Sequence, residues 1–188
     1  MIEKIWIDVE TTGLDIQKNT IIELAAIYKN EMFHKYVKLS YMPYNFNEVS
    51  EITGITWDFL QENGVSELEL YETFIDFLDN IVDKYNKDNK LVISGYNTQF
   101  DSEFIRNLFK RYNNNYYGSY FLNVNYEVMS EVANAICNGE IDLLENYKLE
   151  TVCKFFNIEF NAHSAIEDIR ATIELNNKIQ ERYNDKTL

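Results

Sequence analysis

The stretch Glu3-Lys4-Ile5-Trp6-Ile7-Asp8-Val9-Glu10 alternates with a period of two, the pattern of a β-strand. Ile5, Ile7 and Val9 fall on one face, and Trp6, Asp8 and Glu10 fall on the other. Three β-branched residues at that spacing suit an interior strand, where a carboxylate is costly unless a cation or a donor offsets it. Both acids project from one face and could share a hard divalent cation, which prefers oxygen ligands. An exposed edge strand carrying two acids is the competing reading, and Asp-x-Glu alone does not exclude it.

Two more strands are expected over 20–29 and 32–39, with Lys29-Asn30-Glu31 as the turn between them. Ser66 and Glu69 then have capping-box spacing. Tyr71, Phe74, Ile75, Leu78, Ile81, Val82 and Tyr85 follow at helical spacing. The acids Glu67, Glu72, Asp76, Asp79 and Asp83 fall largely off that stripe and read as its solvated face. Residues 91–95 form a short apolar run ending in glycine, a buried strand. A helix is expected from about 99 to 112, with Phe100, Phe104, Leu108 and Phe109 inward, and Asn113-Asn114-Asn115 reads as a loop after it. Short helices are expected over 125–136 and 149–156, and a last helix from 165 to about 182 on Ile166, Ile169, Ile173 and Ile179. Strands first, then strand–helix alternation, gives an α/β fold: a mixed β-sheet flanked by α-helices. With no repeat or linker in 188 residues, the expectation is one domain over 1–183 and a short tail at 184–188.

Charge limits what such a domain can bind. Seventeen basic and 31 acidic side chains leave a net charge of -14. That argues against a protein that coats nucleic acid, which needs a basic footprint. It leaves room for an enzyme that holds a few terminal nucleotides and neutralises its own carboxylates with metal. Cys137 and Cys153 have no metal-ligand spacing and read as reduced thiols. No apolar run suits a signal peptide or a bilayer span, so a cytoplasmic protein without membrane contact is expected.

Two further segments could carry chemistry. Asp101 follows the 91–95 strand closely, and Thr98-x-x-Asp101 has capping-box-like spacing. Capping in the first helical turn suffices to explain an aspartate there. The crevice beyond strand carboxyl ends is also where open α/β sheets bind ligands. In His163-Ser164-Ala165-Ile166-Glu167-Asp168, Ser164 and Glu167 form a second capping box. His163 and Asp168 then hold the two positions that a hydrophobic staple fills with apolar side chains. An ionisable pair stands there instead. A surface His–Asp pair is the bland reading; a functional pair is the sharper one. Four carboxylates and a histidine supply what two-metal phosphodiester hydrolysis requires, with imidazole suited to deprotonating water near neutrality.

In these motifs the chain resembles the DEDDh exonucleases, the ribonuclease H-like group that includes proofreading subunits of bacterial replicative polymerases. The motifs are Ile7-Asp8-Val9-Glu10-Thr11-Thr12-Gly13-Leu14, Asn97-x-x-Phe100-Asp101 and His163-x-Ala165-x-x-Asp168-x-x-Ala171-Thr172. The strand Ile21-Ile22-Glu23-Leu24-Ala25-Ala26-Ile27 and Lys148-Leu149-Glu150-Thr151-Val152 also look family-like. The resemblance implies a ribonuclease H-like sheet and a 3′→5′ exonuclease using two ions, Mg²⁺ or Mn²⁺. It implies that Asp8 bridges both ions, that Glu10 and Asp168 hold the water-activating one, and that Asp101 serves the other. His163 would be the general base. Thr11, Thr12, Gly13, Leu14, Ile55, Asn97 and Phe100 would line the pocket for the terminal nucleotide, with Thr12 on the 3′-hydroxyl and Leu14 on the last base. The family often has a histidine before the glycine in Ile52-Thr53-Gly54-Ile55-Thr56, where this chain has Thr53. The implied partner is a 3′ end of single-stranded DNA or RNA, with a polymerase or other delivery partner. An RNA-trimming enzyme and a catalytically idle binding module are the alternatives.

Overall fold

The computed structural model describes residues 2–185, with side chains through Arg182. Its strands are β1 (Glu3–Thr11), β2 (Ile21–Tyr28), β3 (Glu31–Tyr36), β4 (Leu91–Gly95) and β5 (Phe121–Glu127). Its helices are α1 (Phe46–Thr53), α2 (Trp57–Asn63), α3 (Glu67–Ile81), α4 (Thr98–Arg111), α5 (Tyr117–Tyr120), α6 (Val128–Cys137), α7 (Leu149–Phe155) and α8 (Ala165–Asp185). The sheet runs β3-β2-β1-β4-β5, so β1 is the central strand that its alternation called for. β1 to β3 form an antiparallel meander, while β4 lies parallel to β1 and β5 parallel to β4.

The two faces of β1 go to different layers. Ile5, Ile7 and Val9 pack with Leu70, Phe74 and Leu78 of α3 and with Phe104 and Leu108 of α4. Trp6 points the other way, toward clusters built from α6, α7 and α8. Asp8 and Glu10 share the Trp6 face. That face would be a simple core if Trp6 were the pattern throughout, so the acids interrupt it for a reason outside packing.

Three expected boundaries need correction. The segment read as a helix from 125 is strand β5 up to Glu127, and only then α6. The helical spacing of Val128, Val132 and Ala135 is real, but it stops at the strand. Asn123 and Val124 are exposed on an edge strand held by long-range pairing such as Leu91↔Phe121, which no local pattern shows. β3 ends at Tyr36 rather than 39, because Val37 leaves to bridge Val65. α1 and α2, not assigned from sequence, bury Phe46, Val49 and Leu60 under the loop after β3. At the C-terminus α8 continues through Asp185, into the expected 184–188 tail, and residues 186–188 lie outside the described residues.

Candidate active site

The site forms where β1 outruns β4. Their pairing ends at Trp6↔Ser94, leaving Ile7 to Thr11 without a parallel neighbour. Gly95 lets the chain turn away there, since a Cβ at that position would lie 3.0 Å from the Ile7 carbonyl oxygen. The Val9 N–H loses its strand acceptor at this split, and Asp101 replaces it: the amide donates to Asp101 Oδ1 at 3.0 Å. Within its own helix the Asp101 carboxylate meets only its own amide. The amides ahead of it are held by Glu127 at the end of β5, which accepts from the Asn97 and Thr98 amides at 2.9 and 2.7 Å and from Met129 N at 3.0 Å. One carboxylate thus caps α4 and α6 together, and no sequence spacing links it to Asn97.

Asp168 arrives from the opposite layer. The first turn of α8 packs Ala165, Ile166 and Ile169 on Ala25 of β2. Ala25 pairs directly with Asp8 across the strands, and its small side chain lets the helix settle close. Asp8, Glu10 and Asp168 each offer an oxygen, and these lie within 4.8 Å of one another. Asp101 is adjacent: its charge and that of Asp168 both raise the Asp8 pKa.

The electrostatics of this cluster are unfavourable as it stands. Burial first, then Asp101, Asp168, Glu10 and Glu23, push the Asp8 pKa well above the carboxylate range. Glu10 is pushed up to about 8 by burial, then by Asp168 and Glu23. Asp101 is raised to about 8 by burial, against the Val9 hydrogen bond. Asp168 is raised to about 7 by burial, against a hydrogen bond from the His163 amide. Asp168 Oδ1 is buried without a hydrogen-bond partner. Like charges crowded in low dielectric suppress one another's ionisation, and a divalent cation removes that conflict. The donor set is all carboxylate, which suits a hard cation such as Mg²⁺ or Mn²⁺. The residues fit the ions that the resemblance implies.

Sequence reasoning missed Glu23. It pairs with Glu10 across β1 and β2, is fully buried, and keeps Oε2 without a partner. Its other oxygen lies 2.6 Å from His34 Nε2 on β3. The available signal was a single acid inside the apolar run Ile21-Ile22-Glu23-Leu24-Ala25-Ala26.

His163 sits differently from expectation. Its backbone amide, not its imidazole, contacts Asp168. The residue has φ 72°, its side chain is exposed, and no ion pair or hydrogen bond holds the ring among the described residues. The expected side-chain pair is therefore corrected to a backbone contact. Glu167, expected to close the capping box, instead pairs with Arg170 at 2.6 Å.

The expected nucleotide-binding residues divide. Leu14 is 84% exposed at the tip of the loop after β1, and Gly13 beneath it has φ 151° with the Asn19 amide packed against its Cα. Asn97 is exposed with φ 66°, and Phe100 is half-buried against Phe104. Thr11 and Thr12 are buried. The Thr12 hydroxyl accepts from Thr20 N and Asn19 Nδ2, which ties the loop to β2 and leaves one hydroxyl proton to offer. Ile55 is 6% exposed and packs in the small core of Ile22, Phe46, Val49 and Leu60. Thr53 is likewise turned inward, donating to the Val49 carbonyl and accepting from Ile55 N.

Known proteins resemble the chain in sequence and in fold. The RNase_T family model, described as exonuclease, matches residues 5–176. The chain belongs to this exonuclease family. Its sequence is 33% identical over 183 residues to the PolC-type DNA polymerase III of Bacillus subtilis (strain 168), covering 89% of this chain and 11% of that protein. It is 28% identical over 179 residues to the DNA polymerase III subunit epsilon of Aquifex aeolicus (strain VF5), covering 93% of this chain and 79% of that subunit. The fold matches exonuclease I of E. coli in a zinc-bound complex with single-stranded DNA, at TM-score 0.78 and 26% identity, over 95% of this chain and 40% of that one. The chain thus spans about a tenth of the PolC-type relatives and two fifths of exonuclease I. The five-stranded mixed sheet with flanking helices is the ribonuclease H-like fold of exonuclease I.

Proposed function

We propose that the chain is a 3′→5′ exonuclease that hydrolyses phosphodiester bonds at the 3′ end of single-stranded DNA and releases nucleoside 5′-monophosphates. The observation that carries this reading is the meeting of Asp8, Glu10 and Asp168 oxygens within 4.8 Å, with only acids among the described residues acting on Asp8. Mg²⁺ or Mn²⁺ bound there would activate water and neutralise charge developing on the phosphate. Asp8, Glu10 and Asp168 would hold the cations, and Asp101, fixed by the Val9 amide, would complete the set. His163, whose exposed ring stands beside Asp168 through the amide contact, would take the proton from the attacking water. Leu14 packs on the terminal base, while Asn97 and Phe100 border it.

DNA is the preferred substrate because replicative polymerases and a DNA-bound exonuclease I are among the similar proteins. The similarity to polymerase components also supports delivery by a polymerase. A 3′-labelled and a 5′-labelled oligonucleotide, incubated with Mn²⁺ and with EDTA, test the reading. Mononucleotide release from the 3′ end, lost in EDTA, is expected. Release from the 5′ end, or none with Mn²⁺, would contradict it, and faster loss of RNA would move the substrate to RNA.

A further inference from the structure

Beside the loop that carries Thr12, Gly13 and Leu14 lies a groove of about 760 Å³ that the carboxylate chemistry does not use. Its far wall is the segment after β3, which presents Tyr41, Met42 and Tyr44. These side chains are 73%, 51% and 102% exposed, and Leu14 opposite them is 84% exposed. Four large apolar or aromatic groups left in water around one groove mark an interaction surface rather than scattered surface residues.

The wall is tied to the site loop rather than hanging free. Asn45 Nδ2 donates to the Thr12 carbonyl at 3.1 Å, and Phe46 N donates to the Pro43 carbonyl at 3.1 Å. Lys38 N is held by the Val65 carbonyl at the other end. Phe46 anchors the segment in the core at 1% exposure. The rings are thus presented on backbone fixed at both ends, which lowers the ordering cost of binding.

Charge indicates what fits. The groove is lined by Lys18, Lys38 and Arg111 against Asp15 and Glu67, an excess of one positive charge on a chain with 17 basic and 31 acidic residues. Lys18 pairs with Asp15 at 3.0 Å and Arg111 with Glu67, both at the solvent-facing surface where a phosphate can compete for the base, and Lys38 carries the remaining charge. Aromatic faces interleaved with lysines suit a ligand made of flat rings on an anionic backbone, as in single-stranded nucleic acid. Continuity with Thr12 to Leu14 places that ligand on the same strand whose end reaches the carboxylates.

We propose that Tyr41 and Tyr44 form a stacking shelf for the unpaired bases of a DNA strand upstream of its 3′ terminal nucleotide, with Lys18 and Lys38 meeting its phosphates. The shelf deepens the exonuclease reading and rests on it. It also resolves a difficulty of that reading: a strongly acidic protein holds its substrate through stacking and two local lysines instead of a broad basic field.

The test is binding of fluorescein-labelled (dT)12 to the full chain in EDTA, read by anisotropy, alongside hydrolysis in Mn²⁺. The double variant Tyr41→Ala/Tyr44→Ala should bind at least about fivefold more weakly, as loss of base stacking does elsewhere. Tyr41→Phe/Tyr44→Phe, which keeps the rings, should stay within about twofold of wild type by the same stacking argument. Tyr85→Ala, at a ring 90% exposed outside the groove, should bind as wild type. Equal affinity for wild type and the double alanine variant would overturn the shelf, as would no binding by wild type. Tighter binding of (rU)12 than (dT)12 would overturn the assignment to DNA. The two readings fail separately: hydrolysis with equal affinities removes the shelf alone, whereas ring-dependent binding without hydrolysis removes the nuclease alone.

Discussion

Asp79 and the Asp8 cluster are both acids in contact with other titratable groups, and their pKa values move in opposite directions. Asp79 on α3 accepts from Lys84 Nζ and the Tyr120 hydroxyl, each at 2.7 Å. Burial works against its charge, but those two hydrogen bonds prevail and hold the carboxyl below its ordinary value. At Asp8, Glu10, Asp101 and Asp168 no described base lowers the pKa, and burial with repulsion from neighbouring carboxylates raises every one. The chain completes its ion pairs where acids serve structure. At the Asp8 cluster no described base compensates the acids, and a bound divalent cation would supply the missing positive charge.

That contrast can be broken in several ways. Asp8→Ala should abolish turnover, because Asp8 lies between the other carboxylates; near-normal rates in a mononucleotide-release assay would remove it from the site. His163→Ala should slow hydrolysis on the order of 10²–10⁴-fold with little change in DNA affinity. A loss confined to KM would make the ring a binding group. Asp8→Asn should raise the Tm of metal-free protein at pH 8 by about 2–4 °C, the shift that 1 kcal/mol gives in a domain of this size. An unchanged or lower Tm would mean the cluster carries no repulsion. Lys84→Met, by contrast, should move the midpoint of urea melts only slightly, since both partners of the pair are about one-third exposed. A large shift would show that this pair is more than a surface contact.

The central strand and its acids were legible because a period of two is local, and so was the Ser66 cap, whose side chain accepts from Glu69 N at 3.1 Å. Asp8, Glu10, Asp101 and Asp168 could be singled out because each breaks a local rule or sits at a helix start. What remained hidden depends on contacts between distant segments. β5 exists because β4 pairs with it, and its own alternation of asparagines argued for no strand. Glu127 looks like any acid before a helix until α4 is set beside it. Glu23 looks like a lapse in an apolar strand until Glu10 and His34 flank it. Ile55 belonged to a motif, but α1 and α2, which bury it, were not visible as elements.

The most direct measurement is the Tm of the chain from pH 5 to 9, with and without Mn²⁺. The folded carboxylates hold protons up to about 7 for Asp168 and about 8 for Glu10 and Asp101. The unfolded chain releases them near pH 4. Raising the pH through this window therefore strips protons that only the native state keeps, and metal-free stability should fall. Mn²⁺ should restore it, with a gain that grows with pH and disappears in Asp8→Asn. A metal-free Tm that stays level across the window, together with no shift on adding Mn²⁺, would contradict a cation site at Asp8, Glu10 and Asp168.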